Sequence, residues 1–388
     1  MADGTMTTAR TLFKRMLRLC AAGAAGLAAS AALANPQALV GTWKGSIGGA
    51  PVMACFTAGE ADYHYLRHMR AILLARPGDD GSLSDAQLRA LPLEGYRLDE
   101  VDRSGDTPGV SGRWRFEGVQ GDLLRGTWTS PSGDRSLPIR LSKLAPPPGA
   151  DSGDVCGAAY FAPLRAAVRV KKEPARFASH VYTQLASEDA KAPELGAEVP
   201  HADAFNRFAL DWLRDQAVFR YDCERGLSRL VGSGEPLGRE LQPVFWNDRY
   251  LVLQDALPEV FCGGAHGNSS LSYVVWSLPQ GKPIDPWIWI QGGQQAVRAR
   301  DSADGPPVAP ALLRQIIRQH PRNEVNDSCS EVMDAMWVDA PIPSDDGLVF
   351  NTSFFHAMRA CNDQVSLNWR QLAPYLSREG RELMKKGR

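Results

Sequence analysis

Between residues 40 and 144 the apolar positions come in short runs. Val40 to Ile47, Met53 to Phe56, Tyr63 to Leu74, Gly112 to Phe116, Leu124 to Thr129 and Leu137 to Leu141 carry β-branched, aromatic or leucine side chains. Turn clusters separate them: Gly48-Gly49, Pro77 to Gly81, Ser104 to Gly109 and Pro131 to Asp134. Short runs punctuated by Gly, Pro and Asp predict an all-β domain, either a small barrel or a sandwich. Gly41-Thr42-Trp43 returns as Gly126-Thr127-Trp128. The repeat suggests that the first and last strands are neighbours and that each buries one tryptophan. Ala145 to Asp154 then holds three successive prolines among Gly, Ser and Asp. Neither a helix nor a central strand accepts that composition, so it predicts a linker.

The period changes after the linker. In Ala204 to Ala217, the residues Phe205, Phe208, Ala209, Trp212 and Leu213 share one face at helical spacing, with Asp203 placed as N-cap. Arg249 to Gln254 and Leu271 to Leu278 read as strands. Pro310 to His320 reads as a second helix, with Leu312, Leu313, Ile316 and Ile317 inward and Pro321 just past its end. Gly347 to Thr352 and Gln364 to Trp369 read as strands, and Gln371 to Lys386 as a last helix interrupted at Pro374. Helices and strands in mixed order predict an α+β domain. The chain is therefore predicted to be multi-domain: a leader over 1–34, an all-β domain over 35–145, a linker over 146–155 and an α+β domain over 156–388.

The leader changes the picture most. Arg10, Lys14, Arg15 and Arg18 precede an uncharged run from Leu19 to Leu33, and Ala32-Leu33-Ala34 supplies the small-x-small pattern of a signal-peptidase site. That order marks a secretory signal peptide. The run falls short of the roughly 20 apolar residues that span a bilayer. The expected location is periplasmic or secreted, with no stable membrane insertion after cleavage. Cleavage removes four basic residues and one acid, which takes the net charge from −1 to −4. No basic stripe is present, so nucleic acid is not an expected partner.

Without Cys20 the chain keeps six cysteines: Cys55, Cys156, Cys223, Cys262, Cys329 and Cys361. An even count in an exported protein predicts disulfides, and the absence of any CxxC argues against a thioredoxin-like site or a zinc ribbon. Six cysteines allow fifteen pairings. The favoured pairs are Cys223 with Cys262, which each end or start a strand near the same turn, and Cys329 with Cys361, which flank the strand Gly347 to Thr352. Cys55 and Cys156 are left over and would staple the β domain to the end of the linker.

A resemblance enters at Phe261-Cys262-Gly263-Gly264-Ala265-His266-Gly267-Asn268. It continues through Tyr273 to Leu278, Gly281-Lys282-Pro283-Ile284, Gly347 to Phe350, Val365 to Trp369 and Leu372-Ala373-Pro374-Tyr375-Leu376. Over about residues 176 to 380 this pattern resembles an extracellular domain family of largely unknown function. That family includes the sensor domain of a lysozyme-binding anti-sigma factor, and similar domains are fused to some polysaccharide deacetylases. The resemblance implies a binding or sensing module whose partner is a lysozyme-like protein or a cell-wall fragment. The alternative it implies is an envelope hydrolase, with His266 and an acid acting on a glycan or ester. This chain departs from the family in its cysteines, in the long stretch 290–345 and in lacking an anti-sigma segment.

The candidate ligand-binding residues are Gly263, Gly264, His266, Gly267, Asn268, Trp287 and Trp289. For the Gly-rich segment two readings stand. It is a turn that needs glycine between two strands, or a loop whose backbone N–H groups and His266 meet a ligand. Trp287-Ile288-Trp289-Ile290 likewise reads as an exposed aromatic platform, as a strand buried on both faces, or as a loop plugging the core. His64 and His68 would sit roughly 13 Å apart on a strand, too far for one ion, so no metal is expected. No Gly-x-Ser-x-Gly, Ser-x-x-Lys, phosphate-binding or dinucleotide motif occurs. No catalytic residue and no cofactor are assigned, and the expected role is not enzymatic.

Overall fold

The computed structural model describes residues 36–57, 61–77, 93, 96–102, 109–145, 156–227, 237–262, 267–292, 310–321, 328–354 and 356–386. The leader and the linker 146–155 lie outside the described residues. The chain divides into two compact units, the main boundary falling between Tyr160 and Phe161, with Met69–Ala71 also assigned to the second.

The first unit is an eight-stranded barrel. Its strands are β1 (Gly41–Ile47), β2 (Ala50–Phe56), β3 (Ala61–Tyr65), β4 (Ile72–Ala75), β5 (Arg97–Asp102), β6 (Gly109–Gln120), β7 (Leu123–Thr129) and β8 (Ser136–Lys143). Each pairs antiparallel with the next, and β1 closes on β8 through Trp43↔Lys143 to Ile47↔Ile139. Closure leaves no edge strand to recruit another chain. Side chains alternate across each strand, and one set fills the interior: Trp43, Val52, Phe56, Tyr63, Trp114 and Phe116 among others. The first and last strands are thus neighbours, but the second Gly-Thr-Trp lies on β7, with β8 between it and the first. Trp43 is fully buried and donates Nε1–H to the Leu39 carbonyl at 2.6 Å. Trp128 is half-buried. The run Tyr63 to Leu74 is two strands, because Leu66–His68 turn between them.

The outer face of β2 and β3 is buried as well. Helix α1 (Gly157–Ala167) begins there, anchored by the disulfide Cys55–Cys156. Thr42 Oγ1 donates to the Cys156 carbonyl at 2.8 Å, and the Tyr160 hydroxyl donates to Asp62 Oδ2 at 2.5 Å. Beside them the His64 ring, 0 % exposed, meets the Tyr160 ring edge-on at 5.0 Å between centroids. Burial pulls the His64 imidazole down from 6.5 to about 4. A histidine whose pKa falls on folding binds its proton more readily in the unfolded chain. Its neutral burial is therefore fully compatible with the fold above about pH 6.5 and opposes the fold as pH falls toward 4. We expect barrel stability to drop by about 2 kcal/mol between pH 7 and pH 5 from this group alone. Denaturant titration of wild type and His64→Leu at both pH values measures it. Equal pH dependence in the two proteins would remove His64 as the cause.

The second unit is built on a seven-stranded sheet. Its strands are β9 (Lys171–Phe177), β10 (His180–Ala186), β11 (Ala190–Glu194), β12 (Arg239–Trp246), β13 (Tyr250–Val260), β14 (Asn268–Ser277) and β15 (Lys282–Ile284), ordered as numbered. All neighbours are antiparallel except β11 and β12, whose parallel pairing needs a crossover. Helix α2 (Ala202–Leu227) lies in that crossover. It starts at Ala202, which puts Asp203 inside its first turn instead of at the cap. It runs ten residues past Ala217, because Phe205, Ala209, Leu213, Ala217 and Tyr221 continue one buried stripe, each at most 5 % exposed. Phe205, Ala209 and Leu213 pack on Leu241, Leu251, Leu253 and Trp276 of the sheet.

The opposite sheet face carries a second core. Val252 and Val275 meet Trp287, Trp289, Leu348, Phe350 and Leu372 there. The cover comes from helix α3 (Pro310–Gln319), from strands β16 (Trp337–Val338), β17 (Ile342–Pro343), β18 (Gly347–Ser353) and β19 (Asp363–Asn368), and from helices α4 (Trp369–Leu372) and α5 (Arg378–Lys386). β18 is central, pairing β16 and β17 on one side and β19 on the other. The final helix is interrupted as the sequence suggested: Ala373–Tyr375 forms a 3-10 turn between α4 and α5. Disulfides join Cys223 to Cys262 and Cys329 to Cys361. The architecture is an all-β barrel followed by an α+β unit.

Candidate functional site

Trp287 and Trp289 form no aromatic platform. Asp285 caps a 3-10 turn over Pro286–Trp289, its Oδ1 accepting the Trp287 N–H at 2.9 Å, and Pro286 fills the first position of the turn. The strand alternation expected of Trp-Ile-Trp-Ile is therefore lost. Both indoles turn inward and are 0 % and 1 % exposed. Trp287 lies 6.4 Å from Phe350 and Trp289 5.3 Å from Tyr250. They plug the core between the two sheets.

Of the Gly-rich segment, Gly263, Gly264 and His266 lie outside the described residues. Its two ends are described. Cys262 is tied to Cys223 near the end of α2, and Cys223 Sγ lies 3.7 Å from the Phe261 carbonyl. Gly226 faces the Cys262 carbonyl so closely that a Cβ would collide with it. This glycine is needed to let the two backbones meet. At the far end Gly267 leads into β14 at Asn268, which pairs with Val260.

The chain entering and leaving that segment exposes apolar area. Phe261 is 46 % exposed and Leu271 49 %. Trp337 on β16 is a third large exposed side chain, at 42 %. Leu271 also lines a groove of about 490 Å³ with Tyr273, Ile284, Asp285, Asp339 and Ala340. An exposed apolar side chain beside a concave surface, as Leu271 is here, is a usual mark of an interaction site. The sequence singled out the Gly-rich segment but not Phe261, Leu271 or Trp337. A lone apolar residue on a strand carries no sign of which face it occupies.

The barrel holds a polar group that sequence reading missed. Glu100 on β5 is 4 % exposed. Its Oε1 accepts the Tyr63 hydroxyl at 2.5 Å, Trp114 Nε1–H at 3.0 Å and Trp128 Nε1–H at 2.6 Å, and its Oε2 accepts the Ser111 hydroxyl at 3.2 Å. Burial, together with the Glu100 charge, pushes the Tyr63 phenol far above its ordinary value, so it stays a neutral donor. A Cβ on Gly112 would strike both Trp128 Nε1 and Glu100 Oε2. Glycine at 112 therefore leaves room for the carboxyl and the Trp128 indole. This is a closed donor cage around one acceptor, an arrangement that ties four strands together.

His64, the other candidate met in the barrel strands, is buried on the outer face of β3, whereas His68 is exposed in the following turn. Among the described residues, no three His, Cys, Asp or Glu side chains converge as a metal site would require. No described helix is long and apolar enough to cross a membrane.

No family model and no curated protein matches the chain. Solved structures that align with it include a DUF3298 family member from Bacteroides fragilis, 13 % identical, covering 54 % of this chain and 92 % of that one at a TM-score of 0.35. A DUF3298 family protein from Pseudomonas aeruginosa is 12 % identical, with coverage of 54 % and 93 % and a TM-score of 0.32. Likeness at this level does not define a family for this chain.

Proposed function

We propose that this is an exported binding protein whose second unit meets its partner around the start of β14. The observation that carries the reading is the pair Phe261 and Leu271. They are half exposed on either side of the Gly-rich segment, Phe261 beside the disulfide that ties Cys262 to α2 and Leu271 further along β14. The disulfide fixes the backbone on which Phe261 stands, which limits the conformational entropy lost on binding. Export is supported by the leader and by three disulfides, bonds that persist in oxidising compartments. The resemblance to the lysozyme-sensing domain favours a lysozyme-like protein, and a mature charge of −4 suits a basic partner. A cell-wall fragment is the other expected ligand.

Affinity capture from envelope extract, with lysozyme and muropeptides added in separate arms, tests this. The wild-type protein should retain one of them saturably. Phe261→Ser and His266→Ala should each weaken retention by about tenfold, some 1.4 kcal/mol, without changing the melting temperature. Retention that survives both substitutions would move the partner elsewhere. Product release from the muropeptides that is lost in His266→Ala would instead make the protein a hydrolase.

A further inference from the structure

The outer wall of the barrel carries its charge in an ordered way. Arg97 on β5, Arg115 on β6, Arg125 on β7, Arg140 on β8 and Lys44 on β1 are all exposed, each beside a residue of the buried core. Register joins them into one path. Arg97 pairs with Arg115, and Arg125 pairs with Arg140. Thr127, the partner of Arg115, lies two residues from Arg125, and Ser142, the partner of Lys44, lies two residues from Arg140. Side chains two residues apart on a strand share a face. Five neighbouring strands thus give one cation each to a diagonal row, which crosses four strand spacings, roughly 19 Å. In sequence these residues are scattered, and Lys44 joins the row because the barrel closes β8 onto β1.

Two acids face the same way, Asp99 and Glu117. Asp99 stands 3.8 Å from Arg113, and Glu117 Oε1 accepts the Thr127 hydroxyl at 3.1 Å. Among the described residues, none of the five cations of the row has an ion-pair partner. Like charges directly opposite on neighbouring strands destabilise a sheet, yet this barrel holds two such arginine pairs. Stability does not account for them, whereas an anion lying across the row does.

The wall between the cations narrows the class of anion. It presents the hydroxyls of Thr127, Ser142 and Ser46. Among the described residues no Phe, Tyr or Trp of the barrel is exposed, so the bases of a single-stranded nucleic acid have no ring to stack on. Leu123, 48 % exposed, is the one large apolar side chain the described barrel exposes. One leucine anchors neither an acyl layer nor the apolar centre of a protein interface. Guanidinium forks grip carboxylates with two parallel bonds.

We infer that the barrel wall binds a linear acidic polysaccharide with carboxylates spaced along its chain. The carboxylates would meet the row in turn from Arg97 to Lys44, and the sugar hydroxyls would meet Thr127, Ser142 and Ser46. This surface belongs to the first unit and stands apart from the partner proposed for the second.

The test uses the full mature chain and a fluorescein-labelled decamer of galacturonic acid, followed by anisotropy. Saturable binding is expected, weakening as ionic strength rises. A neutral galactose decamer should bind at least about tenfold more weakly. Arg115→Gln and Arg140→Gln should each weaken the acidic decamer by about threefold, and Arg125→Glu with Arg140→Glu by more than about tenfold. The melting temperature of the two glutamine variants should hold or rise, because each relieves a like-charge pair. No saturation by about 1 mM, equal binding of the neutral decamer, or binding indifferent to the double substitution would each overturn the proposal. Tighter binding of a DNA duplex or of phosphatidylglycerol vesicles, run as separate arms, would also overturn it, because the row would then serve a nucleic acid or a membrane. Phe261→Ser should leave decamer binding intact, so failure of this surface and failure of the second unit's binding role are read separately.

Discussion

Replacing Glu100 with alanine should lower the stability of the barrel by roughly 3–5 kcal/mol, because it removes the acceptor from several buried neutral donors at once. Three donors depend on one oxygen. Tyr63, Trp114 and Trp128 come from three strands, and Tyr63 and Trp114, at 1 % and 0 % exposure, have little access to solvent in place of their acceptor. Each donor left unsatisfied costs about 1–3 kcal/mol. The cavity left by the side chain adds to that, and relaxation of the half-buried Trp128 offsets part of it. Glu100→Gln keeps one carbonyl acceptor in the same volume and should lose less, on the order of 1–2 kcal/mol. Chemical denaturation followed by tryptophan fluorescence reads both, because two of the donors are the reporters. Equal stability of wild type and Glu100→Ala would mean that the cage relaxes around water and holds nothing together.

The strand that carries Glu100 is the one that sequence pattern hid. Arg97-Leu98-Asp99-Glu100-Val101-Asp102 is four parts charge to two parts apolar, and a binary reading makes it a loop. Leu98 and Glu100 nevertheless share the inward face. The inward acid breaks the alternation of apolar and polar residues because its polarity is satisfied by aromatic N–H and O–H groups from other strands, partners that lie far away in sequence. The other barrel strands fell in apolar runs, with β3 and β4 merged into one, because their inward residues are apolar. The same limit explains Trp287 and Trp289. Their alternation with isoleucine imitated a strand, and only the Asp285-Pro286 start shows why the segment coils into a 3-10 turn.

Helix α2 was legible to Ala217 and then lost. Gln216, Arg220 and Asp222 interrupt its polar-to-apolar contrast, while Ala217 and Tyr221 continue the buried stripe. The cysteines permitted fifteen pairings on count alone. What joins each observed pair is proximity made by the fold, such as the end of α2 reaching the Phe261 carbonyl. The groove could not be read from sequence at all. Its walls come from β14, β15 and a link about 55 residues further on, and only the stacking of two sheets brings them together.

The junction of α2 with its sheet should prove as sensitive as the barrel cage. Asp255→Ala should cost the second unit roughly 3–5 kcal/mol. Arg239 on β12 grips Asp255 on β13 with two bonds, Nε–H to Oδ1 at 2.7 Å and Nη2–H to Oδ2 at 2.9 Å. Trp212 on α2 donates to the same carboxylate at 3.2 Å, and Gln216 Oε1 accepts from Arg239 Nη1 at 3.1 Å. The guanidinium also lies over the rings of Trp212 and Phe219, 5.6 Å and 5.8 Å from their centroids. Asp255 is 6 % exposed, so its removal strands a cation where water reaches it poorly. The paired variant Arg239→Met with Asp255→Leu removes both charges together, and it should recover most of the loss, since apolar replacements of a buried pair are often close to neutral. Urea titration of the single and double variants separates the two costs. A single variant within about 0.5 kcal/mol of wild type would mean that the pair contributes no more than an exposed salt bridge does. A double variant no better than the single would mean that the bond geometry, and not the stranded charge, holds α2 to its sheet.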